Sequence, residues 1–378
     1  MEKNRIEWVD TVKAIGMFLV FYGHYVEQLF LLEGENGMAM MQYKFIYSFH
    51  MPLFFMLSGF FAKRQNDTVR YIKVLISRRI VPVFSFAIML VPLWLISNKL
   101  TTGSFMVKQI ACNALKYMGG NPQLDYLTWF LICLFTAELI SGVFRLISSS
   151  KNLNLLLGVL FVGLGYFVIN HSSFLFRYTK IQLNFWYLHE SIVALGFYLI
   201  GNWVFGIISK LKQNRNWLFY LFVPLISLLL VISNIVFKDQ GVVNMASSLH
   251  GDFLPFIINS FLGAVLIISI GVLIPANRLM NFIGSNTLIY LGLNGIFFNF
   301  VNPYLANRLF LNNSFSFITL NCTLVTLLSL ALCYPLIVLI NKYLPQLFGK
   351  PDSNGPIFKP FEFYIQLFRE KAHSILYN

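Results

Sequence analysis

Charge is what this chain has least of. Asp, Glu, Lys and Arg make up 11% of its 378 residues, against 57% for hydrophobic side chains and a mean hydropathy of +0.68. Soluble domains carry about a quarter charged residues, so these values exclude a soluble enzyme and point to a polytopic membrane protein. Acidic residues are the scarcer sign, 15 against 28 basic, which leaves a net charge of +13. In a membrane protein such an excess belongs beside the anionic cytoplasmic leaflet, and nucleic acid is not the partner it implies. Cysteine is scarce too. Cys112, Cys133, Cys322 and Cys333 form neither a CxxC pair nor a metal-ligand spacing, so they read as packing residues and no metal site is expected. No convincing Walker, GxGxxG, HExxH or GxSxG pattern occurs, which leaves nucleotide-cradle, zincin and serine-elbow chemistries without support. Internal repeats and low-complexity tracts are missing. The first apolar run is too long for a cleavable leader, and no small-residue cleavage site follows it.

What fills the chain instead is apolar sequence in long runs. About 20 such residues at 1.5 Å each cross the ~30 Å hydrocarbon core. Length and hydropathy predict spans at 8–32, 43–62, 73–97, 126–148, 153–170, 185–208, 217–237, 254–274, 281–302 and 314–341. The expected fold class is an all-α integral membrane protein, a bundle of about ten transmembrane helices. With the N-terminus inside, nineteen Lys and Arg fall on inner segments and the tail, eight on outer segments, and Lys13 within the first span. The positive-inside rule then puts both termini in the cytoplasm. Residues 1–341 read as one integral membrane domain. The tail 342–378 starts irregular, with Pro345, Gly349, Pro351, Gly355 and Pro356; FEFYIQLFREKAHSIL after it reads either as an interfacial helix or as a solvated tail.

The first span, WVDTVKAIGMFLVFYGHYVEQLFLL, carries Asp10, Lys13, His24 and Glu27. Ionisable groups inside a spanning helix cost on the order of 2.5 kcal/mol or more each, so they face a protein interior and mark function. Lys13 and His24 are eleven residues apart. That is three turns plus about 20°, on one face and ~16 Å apart along the axis. A cation near one end and an imidazole deep in the helix suit a long anionic substrate better than a fold-stabilising pair. His50, in FHMPLFFMLSGFF, falls at a depth comparable with His24 and reads either as an interhelical hydrogen-bonding residue or as a second imidazole of one cavity. Arg78 and Arg79, followed by Pro82, are either flanking charge or a phosphate clamp at the inner mouth. Trp129 fits an interfacial belt, while Glu138 and Glu190 each sit inside an apolar run, with His189 beside the latter. The outer loops 98–125 and 238–252 are the longest and most polar, natural places to recognise something outside the cell.

Taken together, these stretches resemble the membrane-bound acyltransferase 3 family, integral-membrane O-acyltransferases of bacterial surface glycans. RIEWVDTVKAIGMFLVFYGH carries the spacing of Lys13 and His24; FHMPLFFMLSGFF, the Arg pair before Pro82, and TWFL at 128–131 follow in the family's order. IGSNTLIYLGLNG at 283–295 resembles the late-span motif, and LNFWYLHESIVALGFYLIGN the branch related to fucose 4-O-acetylases. The late motif commonly ends in histidine. Here that position is Asn294, to which no catalytic role is assigned, and the arginines are adjacent where the family often separates them.

The resemblance implies about ten helices around a cavity, with acetyl-CoA or another acyl-CoA as cytoplasmic co-substrate and no bound cofactor. The acceptor would be a hydroxyl of a cell-surface or lipid-linked glycan on the far side of a bacterial cytoplasmic membrane. Lys13, Arg78, Arg79 and Trp129 would bind the donor. His24 would act as general base or acyl carrier, with Glu27 orienting or charge-stabilising it and His50 beside it. Asp10 and Glu138 would support. Membrane lipid is the remaining partner, and a homo-oligomer is left open. The competing reading is a transporter that exports polysaccharide or acyl groups without transferase chemistry of its own.

Overall fold

The computed structural model describes residues 6–34, 37–64, 66–172, 185–213, 217–237, 241–361 and 363. Regular structure among them is helical throughout, apart from one isolated bridge between Asn244 and Leu249. In lipid every backbone N–H and C=O must be satisfied within its own segment, and an apolar chain achieves that as helix. α1 (Glu7–Glu33) ends at Gly34, whose φ of +90° suits a residue without Cβ. α2 (Met38–Tyr47) and α3 (His50–Gly59) follow. α4 (Thr68–Leu75), capped by the Asp67 side chain on Arg70 N–H, passes through a π-turn at Ile76–Ile80 into α5 (Val81–Thr102). α6 (Val107–Leu115) lies in the connector to α7 (Trp129–Val143), and α8 (Lys151–Asn170) starts on a Ser150 cap. α9 (Leu188–Gln213), α10 (Trp217–Phe237) and α11 (Phe253–Leu273) come next. α12 (Arg278–Ser285), α13 (Thr287–Ile296), a second π-turn at Phe297–Val301, α14 (Asn302–Leu309) and α15 (Phe315–Tyr343) complete the described helices.

Seven of these helical stretches are long and apolar enough to cross a membrane: α1, α4–α5, α7, α8, α9, α11 and α15. The expected spans 43–62 and 281–302 differ from this picture, because each is a broken helix rather than one rod. The first breaks at Ser48–Phe49, where the freed carbonyls find other partners: Ser48 O accepts from Ser260 Oγ at 3.0 Å, and Ile46 O pairs with His50 Nδ1 at 2.9 Å. The second breaks at Asn286 and again at the π-turn after Ile296. Interrupted backbone at membrane depth persists where it is enclosed by protein or lines a cavity, and the two broken spans carry His50 and Asn294.

Backbone contact without side chains draws the helices together. A Cβ on Gly59 of α3 would lie 1.9 Å from Tyr198 O of α9, and one on Gly201 would lie 2.0 Å from Met56 O. Small residues at such crossings substitute close van der Waals packing for the hydrophobic drive that lipid removes. Leu156, Leu160 and Leu164 of α8 and Leu320, Leu324 and Leu328 of α15 remain exposed, as lipid-facing side chains must.

The start of α1, α12, the Arg78 turn and the segment after α15 share one end of the bundle, the basic end. There Gly284 packs on the Asp10 backbone, and Lys350 Nζ donates to Asn286 Oδ1 and Asn341 Oδ1 at 3.0 and 2.7 Å. Gln346 Nε2 donates to Ser353 O and Phe358 O, each 2.7 Å away, and the Phe348 ring sits 4.9 Å from Phe86. The segment after α15 is irregular and folds against the bundle. The expected interfacial helix at 361–376 lies almost wholly outside the described residues.

Candidate active site

Two of the cavities along α1 hold charged or imidazole side chains; a third, lined by Phe18, Leu19 and Tyr22 of α1 with Met41 and Phe45 of α2, holds none. The one at the basic end has a volume of about 430 Å3 and is lined by Lys13, Lys63, Arg78 and Arg79, with Glu138 the acidic side chain among them. Tyr71, Ser58 and Tyr198 add hydroxyls to its wall. The π-turn carries both arginines, and neighbours on a helix project roughly 100° apart, so the two side chains leave it in different directions. Arg79 points inward and clasps Glu138 with two parallel bonds, Nε to Oε2 at 2.9 Å and Nη2 to Oε1 at 2.8 Å. Arg78 points toward the tail, where Nη2 donates to Asp352 Oδ2 at 2.9 Å in a largely exposed pair. Four cations and one carboxylate among the lining side chains give this cavity a net positive lining, and guanidinium forks match phosphate oxygens.

The second cavity is small, about 30 Å3, and is lined by His24, Glu27, Tyr47, His50, Tyr126 and Trp129, among others. Met51 lines both cavities and so stands between them. His24, in the middle of α1, meets Asn294 of α13: the amide nitrogen is 2.7 Å from Nδ1, and both side chains are buried. Asn294 Oδ1 is buried without a hydrogen-bond partner. With the amide N–H donating, Nδ1 accepts and the imidazole proton sits on Nε2. A half-turn of the amide presents Oδ1 instead, draws the proton to Nδ1 and frees the Nε2 lone pair for base chemistry. His50 is fixed differently: Nδ1–H donates to Ile46 O, which leaves its Nε2 as the acceptor. The Tyr47 ring stands edge-on to both imidazoles, with centroids 6.4 Å from His24 and 4.7 Å from His50.

The residues singled out from sequence therefore divide between two chambers. Lys13, Arg78, Arg79 and Glu138 meet at the basic end; His24, Glu27, His50 and Trp129 meet in the small cavity. Two particulars differ from expectation. Glu27 takes a hydrogen bond from Tyr47 OH at 2.6 Å, and Asn294, not Glu27, holds the His24 imidazole. Glu27 is three positions after His24, about 60° around the helix, which turns it toward α2. Asp10 is buried where α12 crosses α1 and lines neither cavity. Asn294 was the residue sequence reasoning missed. Its signal was present, since it occupies the place where the resembling family carries histidine, and amide and imidazole share the ability to donate and accept.

Three further buried acids and bases lie near the small cavity without lining it. Asp125, in the connector before α7, is fully buried with both carboxylate oxygens lacking a hydrogen-bond partner, and it packs against Gly295 beside Asn294. Burial pushes its carboxyl well above the ordinary carboxylate range. His250, just before α11, is paired with Glu190 of α9, Nε2 to Oε1 at 3.0 Å. Burial opposes its charge, yet the Glu190 carboxylate and its hydrogen bond together raise the imidazole above its ordinary value.

The profile of the acyltransferase 3 family, described as an acyltransferase domain, matches residues 6–338, nearly the whole chain. No curated protein and no solved structure matches. The chain belongs to the acyltransferase 3 family and is a multi-pass membrane acyltransferase.

Proposed function

We propose that this chain transfers a short acyl group, acetyl foremost, from cytoplasmic acyl-CoA to a hydroxyl of a cell-surface or lipid-linked glycan across a bacterial cytoplasmic membrane. The observation that carries the proposal is the pair of chambers on α1: a cationic cavity at one end and a histidine cavity deeper in, with Met51 lining both. Lys13 and Arg78 bind the coenzyme A phosphates. Arg79, already neutralised by Glu138, holds the wall of that cavity. The ~16 Å rise from Lys13 to His24 along α1 is bridged by the pantetheine arm, which brings the thioester past Met51. Methionine's unbranched thioether chain suits a gap that an arm must pass.

At the deep end His24 Nε2 removes the proton of the acceptor hydroxyl as its oxygen attacks the thioester carbonyl. The carbon–sulfur bond breaks, and the imidazolium returns the proton to the departing thiolate, giving ester and free CoA thiol. Asn294 orients the ring and, with its amide turned, accepts a hydrogen bond from Nδ1–H through Oδ1; Trp129 and Phe298 wall the cavity and exclude water. Polymer export needs a continuous wide passage. Two chambers that meet at one side chain, the deeper holding about 30 Å3, favour transfer over transport.

The test is reconstitution in vesicles with labelled acetyl-CoA presented on one side and a soluble glycan acceptor on the other. Ester formed only when donor faces the basic end supports the proposal. Ester formed with both substrates on the same side, or none with either arrangement, contradicts it.

A further inference from the structure

The small cavity is too small for the reaction assigned to it. About 30 Å3 admits a water or two, and no sugar hydroxyl reaches His24 unless a wall moves. Most walls belong to packed helical elements: α1, α2, α3, the 3-10 turn Tyr126–Thr128 that leads into Trp129 of α7, and the π-turn after α13. The remaining wall is Asn244, Met245 and Ala246, in the connector before α11.

That connector is a short hairpin. Asn244 N–H donates to Leu249 O at 2.7 Å, and Leu249 N–H returns the bond to Asn244 O at 3.0 Å. Ser248 turns it with a φ of +58°, in the left-handed region. The side away from the cavity is tied down by polar contacts. Ser248 Oγ lies 2.6 Å from His189 Nε2, Gly251 O accepts from Tyr166 OH at 3.0 Å, and Glu190 pairs with His250, their side chains 0% and 2% exposed. The closed arrangement leaves two polar atoms unsatisfied, Glu190 Oε2 and His189 Nδ1, both buried without a hydrogen-bond partner. Opening lets water reach them, which offsets part of the loss of the contacts that hold the hairpin down.

We propose that the hairpin 244–249 is the acceptor gate of the His24 cavity, that Glu190 and His250 form its latch, and that Asn244, Met245 and Ala246 select the hydroxyl compound admitted. The name of the acceptor rests on the acyltransferase reading; the motion of the gate does not, because it is measured without turnover.

The experiment places a cysteine on the cavity side of the hairpin, Ala246→Cys, in a Cys112→Ser background that removes the exposed native thiol. In intact cells or sealed vesicles the labelling rate by a charged, membrane-impermeant thiol reagent reports opening. Labelling with the latch intact should be slow, and Glu190→Gln or His250→Gln should raise its rate at least about tenfold, since breaking a buried pair strands its partner. Tyr166→Phe removes a tether without burying a charge, so it folds where the latch variants do not, and it should raise the rate about twofold to fivefold, the worth of one neutral hydrogen bond. Equal rates in the parent and the Tyr166→Phe protein, or in the parent and folded latch variants, overturn the gate. Opening that accelerates while no acyl transfer is found with any acceptor retains the gate and overturns the acyltransferase reading.

Discussion

Asn294→Leu keeps nearly the volume of the side chain and removes its hydrogen bond to His24. Both groups are buried, and the contact is 2.7 Å. A buried polar group that loses its partner costs about 1–3 kcal/mol. At 1.36 kcal/mol per tenfold, turnover should fall by roughly 5- to 160-fold if the whole loss appears in the transition state. The loss belongs in kcat, because Asn294 does not line the cationic cavity, and the KM for acyl-CoA should stay where it is. Asn294→Asp sharpens the test: a carboxylate accepts from Nδ1–H and cannot donate to it, so it enforces the tautomer with a bare Nε2. The Asp protein should therefore keep at least about a tenth of the parent kcat, well above the Leu protein. Initial rates of labelled acetyl transfer in vesicles supply both constants. A Leu protein with kcat within twofold of the parent, or with its loss wholly in donor KM, would refute the role given to this amide.

Glu138→Ala leaves Arg79 in a mostly buried site without its carboxylate, so it should destabilise the protein by about 3 kcal/mol; adding Arg79→Met should recover part of the loss in detergent melting curves, and strictly additive losses would count against the pair. Asp352→Asn frees Arg78 for phosphate. The exposed Arg78–Asp352 pair is worth at most about 1 kcal/mol, so the donor KM should fall by no more than about fivefold, with kcat unchanged; a rise in KM would contradict the tail's competition for Arg78. The hairpin latch should loosen as pH rises. The His250 value is raised in the fold, so its contribution is complete below about 6.5 and is lost as pH climbs through the raised value. Glu190, His189, Tyr166 and Asp252 are the titratable groups beside it, with Cys133 against Glu190. Labelling of Ala246→Cys, corrected against an exposed reference thiol, should accelerate above that pH, and a flat profile would remove His250 from the latch.

Much of the fold was legible because hydrophobic length is a local property. The seven spanning stretches follow from run length alone, and the depth relation between Lys13 and His24 follows from helix rise on a single rod. The broken spans were not legible. Residues 43–62 read as one apolar run, and the break at Ser48–Phe49 depends on Ser260 of α11 and on the His50 ring to take the freed carbonyls, partners remote in sequence or hidden by rotamer. The division of the two arginines was equally out of reach. Their adjacency is visible in sequence, but that Arg79 meets Glu138 and Arg78 meets Asp352 depends on contacts 59 and 274 residues away. Asn294 is visible in sequence as an amide where the family carries histidine, but its pairing with His24 is a contact 270 residues away. Glu27 was assigned to His24 on helical proximity, while Tyr47, from the next helix, offered a hydroxyl that bonds a carboxylate more directly.

The central claim is that His24 performs acyl transfer. Proton NMR of surface polysaccharide from cells carrying the parent protein, His24→Ala, or neither, normalised to total polymer, tests it most directly. The account predicts base-labile O-acetyl signals with the parent protein and none with His24→Ala, at equal polymer yield. Acetylation retained in the His24→Ala cells, or a fall in polymer with acetylation per unit intact, would contradict it.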